Sequence, residues 1–334
     1  MREPLVSILM PTYRRPQLLR KALASAVGQT YKNLQIVVRD NASGDQTPEV
    51  VRSFADPRIE FLQACQNDGP WRNGDECLRQ AKGEYVVPLC DDDLLSENYV
   101  ATLIGYMEQD SEITAAYGAT HCIDENGAVT AKCVPCGTHK WGACEILQAW
   151  KSGKLPLISG INFVCRTSFL VSLGEKHNFP DGHNSDNAVF LTAGIRGKVL
   201  FTDQCVFYYR LYALNSVRRH SCQLRAQGDK EFLRYLDAEV ESQRNVNVPR
   251  KDWPELRSSL EEMLSIWYYN HFLNLRLGAD GSFEIFKDLF VYPARVYGVR
   301  NSFKLLRQST LPLLKEVRQR ILGVKSTDRM NKQG

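Results

Sequence analysis

Four times within the first 110 residues, a short apolar run stops at polar residues and gives way to a segment with helical spacing. Leu5 to Met10, Leu34 to Val38, Ile59 to Leu62 and Tyr85 to Leu89 read as buried strands. The first helix opens at Pro16 and carries Leu18, Leu19, Ala22, Leu23 and Ala26 at helical intervals. A second runs from Thr47-Pro48 to about Phe54, and a third from Trp71 to Ala81, ended by Gly83. Ser96 is placed to cap a fourth, reaching about Gln109. Strands that are apolar throughout must be covered on both faces. The alternation therefore calls for an α/β fold with a mixed, mostly parallel sheet flanked by helices. Ligands of such sheets gather beyond the carboxyl ends of the strands. Three polar clusters fall at that edge: Pro11-Thr12-Tyr13-Arg14, Asp40, and Asp91-Asp92-Asp93.

The following stretch is less regular. Strands are expected at Ile113–Thr120, Gly160–Arg166, Val199–Thr202 and Val206–Arg210, and helices at Ala143–Lys151 and Ser185–Ala193. Asp124-Glu125-Asn126-Gly127 is a hairpin turn signal. From about Gly228 the pattern is helical to the end. Residues 1–227 thus read as one α/β domain and 228–334 as a helical C-terminal extension. Between Phe283 and Lys325 there are nine Lys or Arg against three acids, interleaved with aromatic and aliphatic residues. Such a stretch either lies on an anionic membrane surface or packs on the core with a solvated basic face.

Three adjacent carboxylates repel one another unless something offsets their charge. A divalent cation does so, and Mg²⁺ and Mn²⁺ typically take one or two carboxylates plus substrate phosphates. The simpler alternative is an acidic loop leading into the next helix. The position of Asp91 to Asp93 at a strand end, beside two other polar clusters, favours the metal reading.

The N-terminal third resembles glycosyltransferase family 2. The resemblance rests on Val6-Ser7-Ile8-Leu9-Met10-Pro11-Thr12-Tyr13-Arg14-Arg15, on Ser25 through Tyr31, and on Ile36-Val37-Val38-Arg39-Asp40-Asn41-Ala42-Ser43. It continues in Asn67-Asp68-Gly69 with Arg72-Asn73, and in Ala81-Lys82-Gly83-Glu84-Tyr85 leading to Leu89-Cys90-Asp91-Asp92-Asp93. It implies the Rossmann-like GT-A fold, with residues 1–110 binding a nucleotide-diphosphate sugar and 111–227 binding the acceptor. It also implies roles at the donor. Pro11, Thr12, Tyr13 and Arg14 lie along the nucleotide. Asp40 accepts a hydrogen bond from the base, which points to a UDP- or dTDP-sugar. Arg72 lies near the phosphates and Asp91 near the ribose or sugar. Asp92 ligates Mn²⁺ or Mg²⁺, with Asp93 and His220 as further candidates. Cys90 stands where many relatives carry an acid.

Transfer to a hydroxyl needs a base, and relatives place it in an acidic pair opening a helix. The matching stretch is His183-Asn184-Ser185-Asp186-Asn187, in which Asp186 fits the second acid and Ser185 replaces the first. The alternatives are that Asp186 only begins its helix, or that Asp181 is the base. Arg210, in Tyr208-Tyr209-Arg210, meets phosphate oxygens or serves as a structural ion-pair partner. His220 is a diphosphate contact or a surface histidine. Ser159-Gly160-Ile161-Asn162 resembles the acceptor loop, with Gly160 and Asn162 as its contacts. The implied activity is inverting, non-processive transfer to a glycan, lipid-linked glycan or small acceptor, in bacterial cell-surface polysaccharide or glycoconjugate synthesis. The broken spacing at Gln223-Leu224-Arg225 argues against a processive synthase.

Other readings are weaker. A nucleotidyltransferase or dehydrogenase would want a glycine-rich loop after the first strand, which Pro11-Thr12-Tyr13 does not supply. A non-catalytic nucleotide-sugar-binding protein is favoured only by Cys90 and Ser185. The net charge of +4 on 334 residues comes with no reader motif, so no nucleic-acid partner is expected. Ten cysteines are too sparse for a disulfide framework. Cys133 and Cys136 have zinc-like spacing, with His121, Cys122, His139 and Cys144 nearby, but ordinary buried thiols are the favoured reading. No signal-peptide core and no stretch of ~20 apolar residues is present, so a cytoplasmic protein is expected, peripheral at the inner membrane face if the basic tail binds lipid.

Overall fold

A computed structural model of the chain describes residues 2–133, 137–152, 155, 163–174, 179, 182, 184–211, 222–242, 248, 251–276 and 296–297. Strand β1 (Val6–Thr12) lies between β2 (Leu34–Asp40) and β4 (Tyr85–Pro88), parallel to both, and β3 (Ile59–Gln63) extends the sheet beyond β2. The chain therefore builds outward on one side of β1 and then returns to its other side. The gap between the ends of β1 and β4 is a topological switch point, where such sheets hold ligands. Register brings the polar clusters together: Thr12 sits beside Asp40, and Leu9 beside Pro88 just ahead of the aspartates.

The full strand order is β3-β2-β1-β4-β9-β6-β10-β5. Here β5 is Leu94–Leu95, β6 Ile113–Ile123, β9 Phe163–Arg166 and β10 Lys198–Arg210. β9 runs antiparallel to both β4 and β6, while β6 and β10 are parallel. β7 (Val129–Cys133) folds back on β6 and β8 (His139–Trp141) on β10.

Alternate strand residues feed two cores. Ile8, Met10, Ile36 and Val38 pack under Leu19, Leu23, Leu103 and Met107 of α1 (Pro16–Val27) and α4 (Tyr99–Gln109). Leu9 and Val37 join the opposite core with Ile146, Phe190, Phe232, Leu236 and Leu260. These come from α5 (Ala143–Lys151), α7 (Ser185–Arg196), α8 (Cys222–Ser242) and α9 (Trp253–Arg276). The remaining described helices are α2 (Thr47–Arg52), α3 (Pro70–Arg79) and α6 (Thr167–Leu173). A Cβ on Gly83, between α3 and β4, would stand 2.6 Å from the Ser7 nitrogen and 2.8 Å from the Leu5 oxygen. Only glycine lets the backbone run that close to β1.

Several expectations shift. The two strands expected at 199–202 and 206–210 are one strand, β10, irregular between Phe201 and Val206. Ser96 does not cap α4, which begins at Tyr99. Its Oγ accepts from the Val206 nitrogen at 3.0 Å and donates to Asn98 at 2.8 Å, tying the loop to β10. α8 starts at Cys222 and crosses residue 228 without a break, and its apolar face shares a core with α7. The basic tail beyond Tyr297 lies outside the described residues, as do all of 283–295.

Candidate active site at the ends of β1, β2 and β4

Asp91 is the hinge between the first and fourth strand ends. Its Oδ2 accepts from the Thr12 hydroxyl at 2.7 Å and the Tyr13 nitrogen at 3.3 Å. Arg15 then bridges two acids, reaching Asp91 at 3.2 Å and Asp92 at 2.8 Å. Burial, reinforced by Asp92, pushes the Asp91 carboxyl up to about 6 despite Arg15 and Thr12. Asp93 is raised well above the usual carboxylate range, chiefly by burial and then by Asp92. Burial and the neighbouring carboxylates likewise raise the Cys90 thiol. Arg15 offsets part of the negative charge gathered in this loop.

That is the environment a divalent cation would relieve. One ligand atom each from Cys90, Asp92 and Asp93 lies within 4.8 Å of the others, the one such grouping among the described residues. The carboxylate oxygens of Asp92 and Asp93 suit Mn²⁺ or Mg²⁺, whereas the Cys90 sulfur is a soft donor that these hard ions do not favour. Of the two readings of Arg210, its contacts among the described residues favour the structural one. Arg210 is 1% exposed, and a buried guanidinium needs acceptors at fixed positions. It finds them in backbone carbonyls: Asp92 at 2.7 Å, Asp124 at 2.6 Å and Glu125 at 3.0 Å. Its own nitrogen donates to Asp93 at 2.8 Å. Arg210 is thus a clamp that joins the acidic loop to the 124–125 turn.

Around the β2 end, a polar network shapes the nucleotide side. Asp40 is fully buried. Its Oδ1 accepts from the Ser43 nitrogen at 3.1 Å and from the Ser43 hydroxyl, and Gln63 is 3.5 Å from Oδ2. Oδ2 is the Asp40 oxygen that Ser43 leaves open. Arg14 adopts positive φ, donates from its nitrogen to Ser43 at 2.8 Å, and sets its guanidinium 5.1 Å from the Tyr13 ring centre. Arg72 is exposed on the first turn of α3. Arg39 links Asn73 at 2.6 Å to Asp68 at 3.2 Å, and Asn41 donates to Asn67 at 2.9 Å.

Asp186 lies in the first turn of α7. Burial pushes its carboxyl up to about 6. Ser185 beside it is 2% exposed, and its hydroxyl has no partner among the described residues. Asp181, Gly160, Asn162 and His220 lie outside the described residues, and so do Cys136 and the Cys133 side chain. Two groups escaped the sequence reading as site residues. Arg15 was quoted only as part of a motif, and Asn73 gave no signal beyond its neighbour Arg72. Asn73 is 2% exposed and donates to the carbonyls of Thr12 and Arg39 at 3.3 Å each, stitching β1 to β2.

The family model described as Glycosyl transferase family 2 matches residues 7–174, about half of the chain. The chain belongs to glycosyltransferase family 2. This glycosyltransferase is 30% identical over 217 residues to the Campylobacter jejuni GalNAc(5)-diNAcBac-PP-undecaprenol beta-1,3-glucosyltransferase, a match covering 64% of this chain and 67% of that protein. It is 27% identical over 213 residues to the Escherichia coli UDP-Glc:alpha-D-GlcNAc-diphosphoundecaprenol beta-1,3-glucosyltransferase WfaP, covering 63% and 78%. With the uncharacterized glycosyltransferase MJ1057 of Methanocaldococcus jannaschii it shares 30% over 139 residues, 40% of this chain and 48% of that one. Among solved structures, S. aureus TarS aligns with a TM-score of 0.64 at 15% identity, over 87% of this chain and 80% of that one. The mannosyltransferase PcManGT from Pyrobaculum calidifontis, in complex with GDP-Man and Mn²⁺, aligns at 0.54 and 19% identity, over 96% and 83%. At these identities the fold is what is shared, and it is the GT-A fold that the sequence resemblance implied.

Proposed function

We propose that this glycosyltransferase moves a single sugar, with inversion, from a UDP-sugar to a hydroxyl of a glycan carried on a lipid diphosphate. The observation that carries the reading is the acidic loop at the end of β4, where ligand atoms of Cys90, Asp92 and Asp93 converge and Asp91 is tied to the end of β1. Thr12, the Tyr13 nitrogen and Arg15 already hold Asp91 in place, so the donor side is organised before substrate arrives. Asp92, with Asp93 and Cys90 beside it, would hold Mn²⁺ or Mg²⁺. That ion, when bound, neutralises the leaving diphosphate. Asp186 accepts the proton from the acceptor hydroxyl as it attacks the anomeric carbon, and a carboxyl poised near 6 is matched to that task at neutral pH. The single-step displacement leaves the diphosphate on the opposite face, hence inversion. Arg72 and Arg14 are the exposed cations on the donor side. The lipid-linked acceptor is supported by the names of two relatives, both glucosyltransferases acting on undecaprenol diphosphate-linked glycans.

The test is transfer of labelled glucose from UDP-glucose to a synthetic polyprenyl diphosphate-linked N-acetylhexosamine, with Mn²⁺ and with chelator. Metal-dependent β-linked product supports the reading. Retention of configuration would overturn the inverting mechanism, and donor binding without transfer or hydrolysis would point to a non-catalytic binding protein.

A further inference from the structure

The residue just before the candidate base is held in an unusual way. Asn184 precedes α7 and adopts φ 68°, ψ 6°, the left-handed region. Asparagine at a helix start normally accepts from the helix's own first N–H groups. Here its side chain makes no such cap. It turns away and donates from Nδ2 to Oδ1 of Asp229, in α8. Its Oδ1 accepts from Asn187 Nδ2 at 2.9 Å. Asp229 is fully buried, and its other oxygen accepts from the Tyr297 hydroxyl, itself 2% exposed. A buried carboxylate is costly unless donors surround it. The C-terminal helices therefore spend one on gripping the start of α7, two residues from Asp186.

α7 is joined to α8 at its other end as well. Arg196 donates to Glu239 from Nε at 2.6 Å and Nη2 at 3.0 Å. That bond lies at the C-terminal end of α7, ten residues from Asp186. The two ends thus provide a comparison within one helix pair.

We infer that Asp229 and Asn184 are positioning residues for transfer: the Asn184–Asp229 hydrogen bond sets the first turn of α7, and so the place of the Asp186 carboxylate. This rests on Asp186 being the base. It also gives the C-terminal segment a part in catalysis that packing alone would not require. Small misplacement of a reacting group is enough to lower a rate about a hundredfold.

The experiment uses the full chain and compares Asn184→Gly with Glu239→Gln. Glycine accepts the left-handed backbone, so Asn184→Gly cuts the tether while the local chain path remains allowed. Asn184→Gly is expected to lower kcat about ten- to a hundredfold with both KM values within a factor of two. Glu239→Gln is expected to lower Tm by a similar amount or more while keeping kcat. Asp229→Asn, which still offers an oxygen to Asn184, should recover most of the activity that Asp229→Ala loses. In an Asp186→Asn background, Asn184→Gly should cause no further loss of the residual rate. Parental kcat in Asn184→Gly overturns the inference, as does an equal fall of kcat in Glu239→Gln. If Asp186→Asn itself transfers at the parental rate, the base assignment fails instead, and the two failures are told apart.

Discussion

Asp186 has two linked consequences at the scale of a single residue. As a base it works only when ionised, and burial holds its carboxyl near 6. With saturating donor, kcat should fall about tenfold per pH unit below 6 and level off above 7. Its effect on stability has the opposite sense. A carboxyl raised from about 3.9 in the unfolded chain contributes stability below that value and loses it as the pH climbs through 6. Asp186→Asn should therefore melt higher than the parent at pH 8, by on the order of 2 kcal/mol, with the gap closing toward pH 4. Thermal melts across that range read the sign directly. The acidic loop gives the complementary result. Mn²⁺ at a hundred times its Kd should stabilise the parent by about 2.7 kcal/mol. In Asp92→Ala that shift should vanish. Its survival there would remove Asp92 from the metal. Asp91, Asp92 and Asp186 could be singled out in the sequence because they fall in stretches that carry or extend the family resemblance. For Arg210 the sequence left two readings open, because it shows an arginine's charge but not the carbonyls around it.

At the scale of elements, the site depends on loops clamped by neighbours far away in sequence. Arg210 ends β10 yet fixes both the acidic loop and the 124–125 turn. Truncation would leave several buried acceptors unpaired, each costing about 1–3 kcal/mol. Arg210→Ala is thus expected to unfold several degrees earlier and to bind donor weakly, whereas loss of a phosphate contact alone would spare the melting temperature. Gly83→Ala pushes a methyl against the backbone of β1 and should destabilise by about 1–3 kcal/mol. Denaturant titration checks both. The elements that the sequence concealed are the short ones. β5 has two residues and β8 three, too few for any period to show. Long-range pairing to β10 makes them strands, and no local pattern encodes that.

For the whole molecule, the parallel half was readable because βα units repeat a local pattern, and their right-handed crossovers leave little choice of topology. The antiparallel insertion of β9 between β4 and β6 was not, since only tertiary packing decides it. Nor did a change of composition near residue 228 mark a structural boundary: α8 spans it and reaches Asn184 through Asp229. The C-terminal helices share one core with α5 and α7, so Asp186 and the segment that holds its helix are parts of one unit.

The account turns on a division of labour, with the acidic loop binding donor and Asp186 taking the proton. It is tested most directly by measuring UDP affinity in Mn²⁺ and sugar transfer side by side in Asp186→Asn. The account predicts parental UDP affinity with transfer reduced about 10²–10⁴-fold; transfer at the parental rate, or loss of UDP binding together with transfer, would contradict it.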